Sequence, residues 1–176
     1  AEIYNIYTID FLEREEMAVL NAIPTGEGAI QIAMEEMPIT IHGCNALVLG
    51  YGRIGKTLTR MLTGIGANVF AEARKYKDLS WINSNGIKPV HLKNLDDCLP
   101  DMDVIFNTIP HLVLNEKKLR KLKPDCLVID LASKPGGIEL ESAKELGIKT
   151  IWALSLPGKV APLSAAKYIK ETISNI

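Results

Sequence analysis

Gly50-Tyr51-Gly52-Arg53-Ile54-Gly55 sets three glycines at the spacing G-x-G-x-x-G. Glycine at such positions brings bare backbone N–H groups close to an anion. Gly50 permits a sharp turn, Gly52 lets backbone approach a pyrophosphate, and Gly55 lets the next helix sit tightly on a sheet. The first N–H groups of that helix have no intrahelical partners and lie at its positive end, which suits phosphate. All six residues are therefore candidate cofactor-binding positions. The next informative group is Glu72-Ala73-Arg74-Lys75. In dinucleotide folds a carboxylate ending the second strand binds the ribose 2′-hydroxyl of NAD, whereas an arginine there accommodates the 2′-phosphate of NADP. Glu72 is the candidate carboxylate if the strand stops at it. If the strand runs one residue further, Ala73 takes the discriminating position, and Arg74 and Lys75 supply cations, Arg bidentately. Two adjacent cations outweigh one carboxylate of open register, so NADP is favoured over NAD. The plainer alternative leaves Arg74 and Lys75 as solvated surface residues.

A bare glycine triplet reads equally well as a flexible turn; its flanks change the weighing. The apolar run Ala46–Leu49 precedes it, and Ile54, Leu58, Met61, Leu62 and Ile65 follow at helical spacing. Strand-like runs then alternate with helical ones. Strands are expected at 68–73, 87–92, 103–109, 126–131 and 149–154, and helical stretches at 78–83, 95–99, 116–122, 138–146 and 164–173. Continuous apolar strands imply burial on both faces, and the alternation implies parallel pairing. The expected fold is α/β: a doubly wound, mostly parallel Rossmann-type sheet with helices on both faces. Ligands in such sheets bind beyond the carboxyl ends of the strands. Before the first strand, Ala29, Ile30, Ala33, Met34 and Met37 mark one helical face, with Thr25 as a plausible N-cap and Pro38 as the stop. An earlier helix is expected over 11–20. The layout predicts an N-terminal, interdomain helical segment at 1–38 and a dinucleotide-binding domain at 39–176. The bland alternative for the prefix is a helical decoration.

Composition narrows the function classes. The chain has 176 residues, a formal net charge of −1 and 47% apolar residues, enough for one domain with a real core. Basic residues are scattered, which argues against nucleic acid as a partner. No apolar run reaches the roughly 18 residues of a membrane span, and no basic-then-apolar leader is visible. Cys44, Cys98 and Cys126 are far apart and lack C-x-x-C spacing, and His42, His91 and His111 form no ligand cluster with them. Reduced thiols, a cytoplasmic setting and no metal are the expectation.

Several segments are unusual together: 21–28 (NAIPTGEG), Thr40-Ile41-His42-Gly43, Asn107-Thr108-Ile109-Pro110, 130–137 (DLASKPGG) and 156–162 (LPGKVAP). With the glycine fingerprint, and in this order, they resemble the A subunit of bacterial dipicolinate synthase from about Phe11 onward. The resemblance implies a two-domain protein whose C-terminal half is the dinucleotide domain. This chain resembles that half; the family's N-terminal domain is expected to be missing, in keeping with a chain that begins at Ala1. The implied activity is oxidation of a dihydrodipicolinate-level precursor to dipicolinate, with NADP⁺ accepting hydride, in the mother cell of a sporulating bacterium. The implied partner is the B subunit of dipicolinate synthase, and a homo-oligomer is expected. By the same resemblance Ala73-Arg74 matches the family's second-strand ending. Thr108, Ile109 and Pro110 are implied to line the cofactor's nicotinamide-side ribose.

A small dicarboxylate substrate calls for cations or backbone N–H groups, and the candidates are Thr25, Lys134, Gly136 and Lys159. Aromatising a dihydropyridine also releases a ring proton, so a base is required. Ser133, Lys134, Glu27 and His111 are the candidates, with Thr25 and Glu27 expected at a helix N-terminus facing the interdomain cleft. Each also has an ordinary reading: a loop histidine, a turn serine, a solvated lysine, an acid at the helix dipole. Two other functions remain in play. A dehydrogenase of the 2-hydroxyacid type shares the helix-then-fingerprint layout, but no histidine follows His111, and Lys134 stands in a different motif. A non-catalytic nucleotide-sensing module needs the glycine loop alone, and leaves the polar loops after the fourth and fifth strands unexplained.

Overall fold

A computed structural model describes residues 10–176; the first nine residues of the expected 1–38 segment lie outside them. Six strands form one parallel sheet: β1 (Asn45–Leu49), β2 (Asn68–Ala73), β3 (Lys88–His91), β4 (Val104–Asn107), β5 (Leu127–Asp130) and β6 (Thr150–Trp152). Their order is β3-β2-β1-β4-β5-β6, so the chain reverses its direction of growth between β1 and β4. This is the Rossmann-type α/β fold expected from the alternating apolar runs, and it puts the switch point directly above the glycine loop.

Alternation along each strand splits the core into two layers. Ala46, Val48, Ala71, Phe106 and Ile129 face one side, beneath α1 (Glu15–Glu36), α2 (Arg53–Ile65) and α3 (Tyr76–Ser84). Leu47, Leu49, Val90, Ile105 and Val128 face the other, beneath α4 (Leu95–Cys98), α5 (Glu116–Leu119) and α6 (Leu140–Glu145). Two further helices, α7 (Leu156–Val160) and α8 (Pro162–Ser174), return the chain to α1. Cys44, Cys98 and Cys126 are unpaired, and burial pushes their thiols up to about 11, 11 and 12 respectively, so they stay protonated.

The prefix differs from its expected form. Instead of two helices with a cap at Thr25, α1 runs unbroken through Pro24. Thr25 is therefore no N-cap: it is buried mid-helix, and its hydroxyl donates to the Asn21 carbonyl at 2.7 Å. Glu27 is exposed in mid-helix, away from any dipole end. Pro24 removes one helical N–H, a cost of about 3 kcal/mol in an isolated helix, and tertiary packing overrides it. A Cβ at Gly26 would press on Met61 of α2, and one at Gly28 would crowd Leu156 and Val160 of α7. The Pro-Thr-Gly-Glu-Gly run, expected to start a helix, is where α1 approaches two neighbours closely. α1 also contributes Ala29, Ile30 and Ala33 to the same core layer as β1 and β2.

Candidate functional site

The glycine loop follows β1, and each side of it is set by a neighbour. Gly50 has φ +92°, a left-handed conformation that a side chain would strain. A Cβ there would also meet the Thr108 hydroxyl at 2.6 Å and Ile109 at 2.9 Å. A Cβ at Gly55 would overlap the Gly50 carbonyl, whereas the space around Gly52 is open. Gly52 caps α2 without a side-chain hydrogen bond, and no acidic residue stands in the first turn. The outcome is an open cradle of N–H groups at a helix N-terminus with no acidic residue in its own first turn, which fits a dinucleotide pyrophosphate. Arg53, in the middle of the motif, instead reaches Glu15 at 3.1 Å in an exposed pair of little energetic weight. Tyr51 is half-buried, and its hydroxyl lies 3.4 Å from Asn85 Nδ2. On its outer side opens a hollow of about 600 Å³ lined by Lys56, Arg60, Trp81 and Asn85, to which Arg74, Thr108 and Lys134 do not contribute.

β2 runs through Ala73, so Arg74 and Lys75 are the first residues beyond its end, and both are exposed. Glu72, one residue inside the strand, is buried, and its Oε1 has no hydrogen-bond partner. Burial pushes its carboxyl up, against the opposing pull of the Gly50 N–H, Arg74 and His91.

The loops after β4 and β5 meet beside the glycine loop, tied by two buried polar residues absent from the sequence-derived candidates. Asn107 ends β4 and Asp130 ends β5, paired in register. Asn107 Nδ2 donates to Asp130 Oδ1 at 2.8 Å and to the Ile109 carbonyl at 3.0 Å, while its Oδ1 accepts from the Ile109 N–H at 3.1 Å. This side chain takes over the backbone groups of Ile109, so β4 stops at Asn107 and not at Ile109 as the apolar run implies. Asp130 Oδ1 also accepts from the Ala132 N–H at 3.0 Å, and Oδ2 accepts from the Gly137 N–H at 2.8 Å. Thr108 turns back to β1, its hydroxyl donating to the Leu49 carbonyl at 2.8 Å. Trp152 Nε1 donates to the Ala132 carbonyl at 2.9 Å. The polar residues at the two strand ends were the available signal, but only the register shows that they face each other.

Held by this network, Ser133, Lys134 and Pro135 project as an exposed loop, with a cis peptide bond before Pro135. Gly136 and Gly137 are buried beneath it, Gly137 against the carbonyls of Ile109 and His111. Thr108, Ile109, Pro110, His111, Ser133, Lys134 and Gly136 thus share one loop cluster beyond the carboxyl ends of β4 and β5. Thr25 and Glu27 lie apart from it on α1; Glu27 lines a surface hollow with Met34 and Met61. Lys159 is exposed on α7, whose N-terminal neighbour Ser155 holds a left-handed conformation (φ 60°) without glycine. Among the described residues no helix is long and apolar enough to cross a membrane.

Known proteins resemble this arrangement. The family model described as D-isomer specific 2-hydroxyacid dehydrogenase, NAD binding domain matches residues 20–135. The dipicolinate synthase A subunit of Bacillus subtilis is 39% identical over 168 residues, covering 96% of this chain and 57% of that protein. The crystal structure of the dipicolinate synthase A subunit from Bacillus halodurans superposes with a TM-score of 0.96 at 38% identity, covering 99% of this chain and 60% of that one. The crystal structure of the Bacillus subtilis protein gives 0.93 at 40%, covering 95% and 56%. The chain therefore spans a little over half the length of these relatives. It carries a dehydrogenase-type NAD(P)-binding domain, is a homologue of the dipicolinate synthase A subunit, and belongs to the family of D-isomer specific 2-hydroxyacid dehydrogenase NAD-binding domains.

Proposed function

We propose that the chain is the NADP-binding part of a dipicolinate synthase A subunit. It would serve the oxidation of a dihydrodipicolinate-level precursor to dipicolinate in the mother cell of a sporulating bacterium. The observation that carries this reading is the buried Asp130–Asn107 pair, which binds the 130–137 and 107–110 segments into one exposed polar cluster beside the glycine loop. A nucleotide sensor needs no such cluster. A nicotinamide cofactor, when bound, would supply the hydride acceptor. The chain's own residues do the rest. The α2 N-terminus holds the pyrophosphate, Arg74 and Lys75 the 2′-phosphate, and Thr108 to Pro110 line the ribose on the nicotinamide side. Lys134 and Lys159 attract a dicarboxylate, and the ring proton is taken by one of Ser133, Lys134 and His111, which project from the same cluster. Glu27, in mid-helix on the outside of α1, is the weaker candidate. The segment up to residue 38 is the interdomain part, and residues 39–176 form the cofactor domain. The proposed partners are the B subunit of the synthase and a further copy of the chain.

Titration with NADP(H) and NAD(H) by calorimetry tests the cofactor assignment. NADP is expected to bind more tightly, and equal or reversed affinities overturn it. Replacing Arg74 with Ala should weaken NADP by roughly tenfold to a hundredfold, the worth of a lost charge-assisted bond, while NAD changes little. Because the chain spans only part of its relatives, turnover by this chain alone is not expected. Dipicolinate formation at the rate of a complete A subunit would contradict the proposed division of labour.

The family-model match favours a second reading, a dehydrogenase acting on 2-hydroxy acids. Against it, no histidine follows His111 in the sequence to act as the acid–base group late in the domain. Oxidation of a 2-hydroxy acid by the complete protein, with no activity on a dihydropyridine dicarboxylate, would decide for it.

A further inference from the structure

The hollow outside Tyr51 has no part in the site described above. Its volume of about 600 Å³ lies in the range of small-molecule pockets. Three helices wall it: α1 through Val19, α2 through Lys56 and Arg60, and α3 through Trp81 and Asn85. Buried Ile87 gives it an apolar inner surface. Two aromatic rings border it. Trp81 is 58% exposed, although indole is the largest side chain a core can take. Tyr51 is half-buried, and Asn85 ties its hydroxyl to α3, the same Nδ2 donating to the Trp81 carbonyl at 2.8 Å. The rings therefore stand on a fixed frame.

The charge of the hollow has one sign. No Asp or Glu lines it. Lys56 and Arg60 stand four residues apart on α2 and so share one face, with Cβ atoms roughly 5–6 Å apart for that spacing. Like charges so placed weaken a helix. Among the described residues neither has a carboxylate within ion-pair distance. The Lys56 ammonium instead lies 5.8 Å from the centroid of the Tyr51 ring, which holds it beside the hollow. The hydroxyls of Thr59 and Thr63 are already given to the carbonyls of Lys56 and Thr59. The free recognition groups are thus two cations and an exposed indole face.

We propose that this hollow is a second ligand site, separate from the dinucleotide cradle, and that it takes a planar aromatic dicarboxylate, its ring against Trp81 and its carboxylates on Lys56 and Arg60. Each feature selects part of the ligand. The indole and the apolar inner surface favour a flat ring over a saturated one. Two cations one helical turn apart match two carboxylates in the 1,3 relation on a six-membered ring, which are spaced similarly. Arg60 can also accept a carboxylate bidentately. The inference does not depend on the proposed function; dipicolinate, the product under that reading, is one member of the class.

The two tryptophans of the chain report on the two regions separately. Trp81 lies in the hollow, whereas Trp152 lies against Gly136 and donates to the Ala132 carbonyl, beneath the Lys134 loop. Benzene-1,3-dicarboxylate, benzoate and cyclohexane-1,3-dicarboxylate are titrated into the ¹⁵N-labelled chain, and the indole N–H signals are followed by NMR. The aromatic dicarboxylate is expected to shift Trp81 saturably, with a dissociation constant in the millimolar range or tighter. Benzoate should bind about tenfold more weakly, having lost one charge-assisted contact, and the saturated dicarboxylate about fivefold more weakly, having lost the stacking. Arg60→Gln should weaken the aromatic dicarboxylate by about tenfold with the melting temperature unchanged. Lys56→Gln reads the same arm should Arg60→Gln fail to fold. No movement of Trp81 up to about 10 mM probe, equal binding of the flat and saturated rings, or an Arg60→Gln variant that binds like the parent overturns the proposal. A shift of Trp81 that follows protein concentration and not probe also overturns it, since the hollow is then an interface between copies. Movement of Trp152 alone places the dicarboxylate at the Lys134 loop: the functional reading gains and this inference fails. Movement of Trp81 alone upholds the inference whatever becomes of that reading.

Discussion

Replacing Gly55 with Ala is expected to cost the chain most of its affinity for a dinucleotide. The added methyl would overlap the Gly50 carbonyl, which is backbone and cannot swing aside. Either the loop or the start of α2 has to move, and both carry the N–H groups of the cradle. Gly50 cannot absorb the shift freely, because its left-handed turn is wedged against Thr108 and Ile109. Overpacking of this kind costs roughly 1–3 kcal/mol or more, equivalent to about a tenfold to hundredfold weakening if all of it falls on the bound state. Calorimetric titration reads the affinity, and thermal melting reads how much of the strain falls on the fold itself. Gly52→Ala is the matched control. Its surroundings are open and its φ is −83°, so it should fold normally and lose affinity only through closer contact with the phosphates. Equal effects of the two substitutions would remove the steric argument.

Asp130→Asn is expected to be the most damaging isosteric change. Asp130 accepts three hydrogen bonds in a buried setting: from the Asn107 amide, the Ala132 N–H and the Gly137 N–H. Asparagine has one acceptor oxygen, and its NH₂ would point at a donor. At least one buried N–H loses its partner and two donors confront each other. At about 1–3 kcal/mol for each unsatisfied group, the loss should be about 2–5 kcal/mol. A loss of about 3 kcal/mol would lower Tm by roughly 6–12 °C in a chain of this size. Asn107→Ala and the double variant complete a cycle; the pair is expected to be strongly coupled, because each residue's loss strands groups on the other. Additive effects would mean the two loops are positioned independently. The functional consequence is a looser Lys134 loop, seen as faster amide exchange at Gly137 and Ala132.

Much of the fold was written locally. Ala46–Leu49 followed by glycines and a helical apolar stripe marks a strand, a tight turn and a helix, because each of these has its own period or backbone requirement. The repeated apolar runs at 68–73, 103–109 and 126–131 likewise marked buried parallel strands; the structure keeps the first at its expected bounds and shortens the other two only at their ends. The turn at Gly50 and the close approach of Gly55 to the Gly50 carbonyl were legible for the same reason, being set within six residues, whereas the contacts of Gly50 with Thr108 and Ile109 were not. Ala73 as the last residue of β2 needed only strand length.

What the tertiary structure decided concerns groups brought together from far along the chain. Asn107 and Asp130 are ordinary strand-end polar residues until parallel register sets them side by side, 23 positions apart. Thr25 and Glu27 looked like a helix start because Pro24, Gly26 and Gly28 break local helical preference. Contacts with Met61, Leu156 and Val160 restore the helix, and no local pattern reports them. Glu72 illustrates the limit most sharply. Its type and position suggested a ribose ligand, while its burial between Leu49 and Val90 gives it a raised, unpartnered carboxyl. Sequence specified which backbone shapes and residue types are present; solvent exclusion and cross-strand neighbours, which fix their charge and partners, exist only once the sheet has formed.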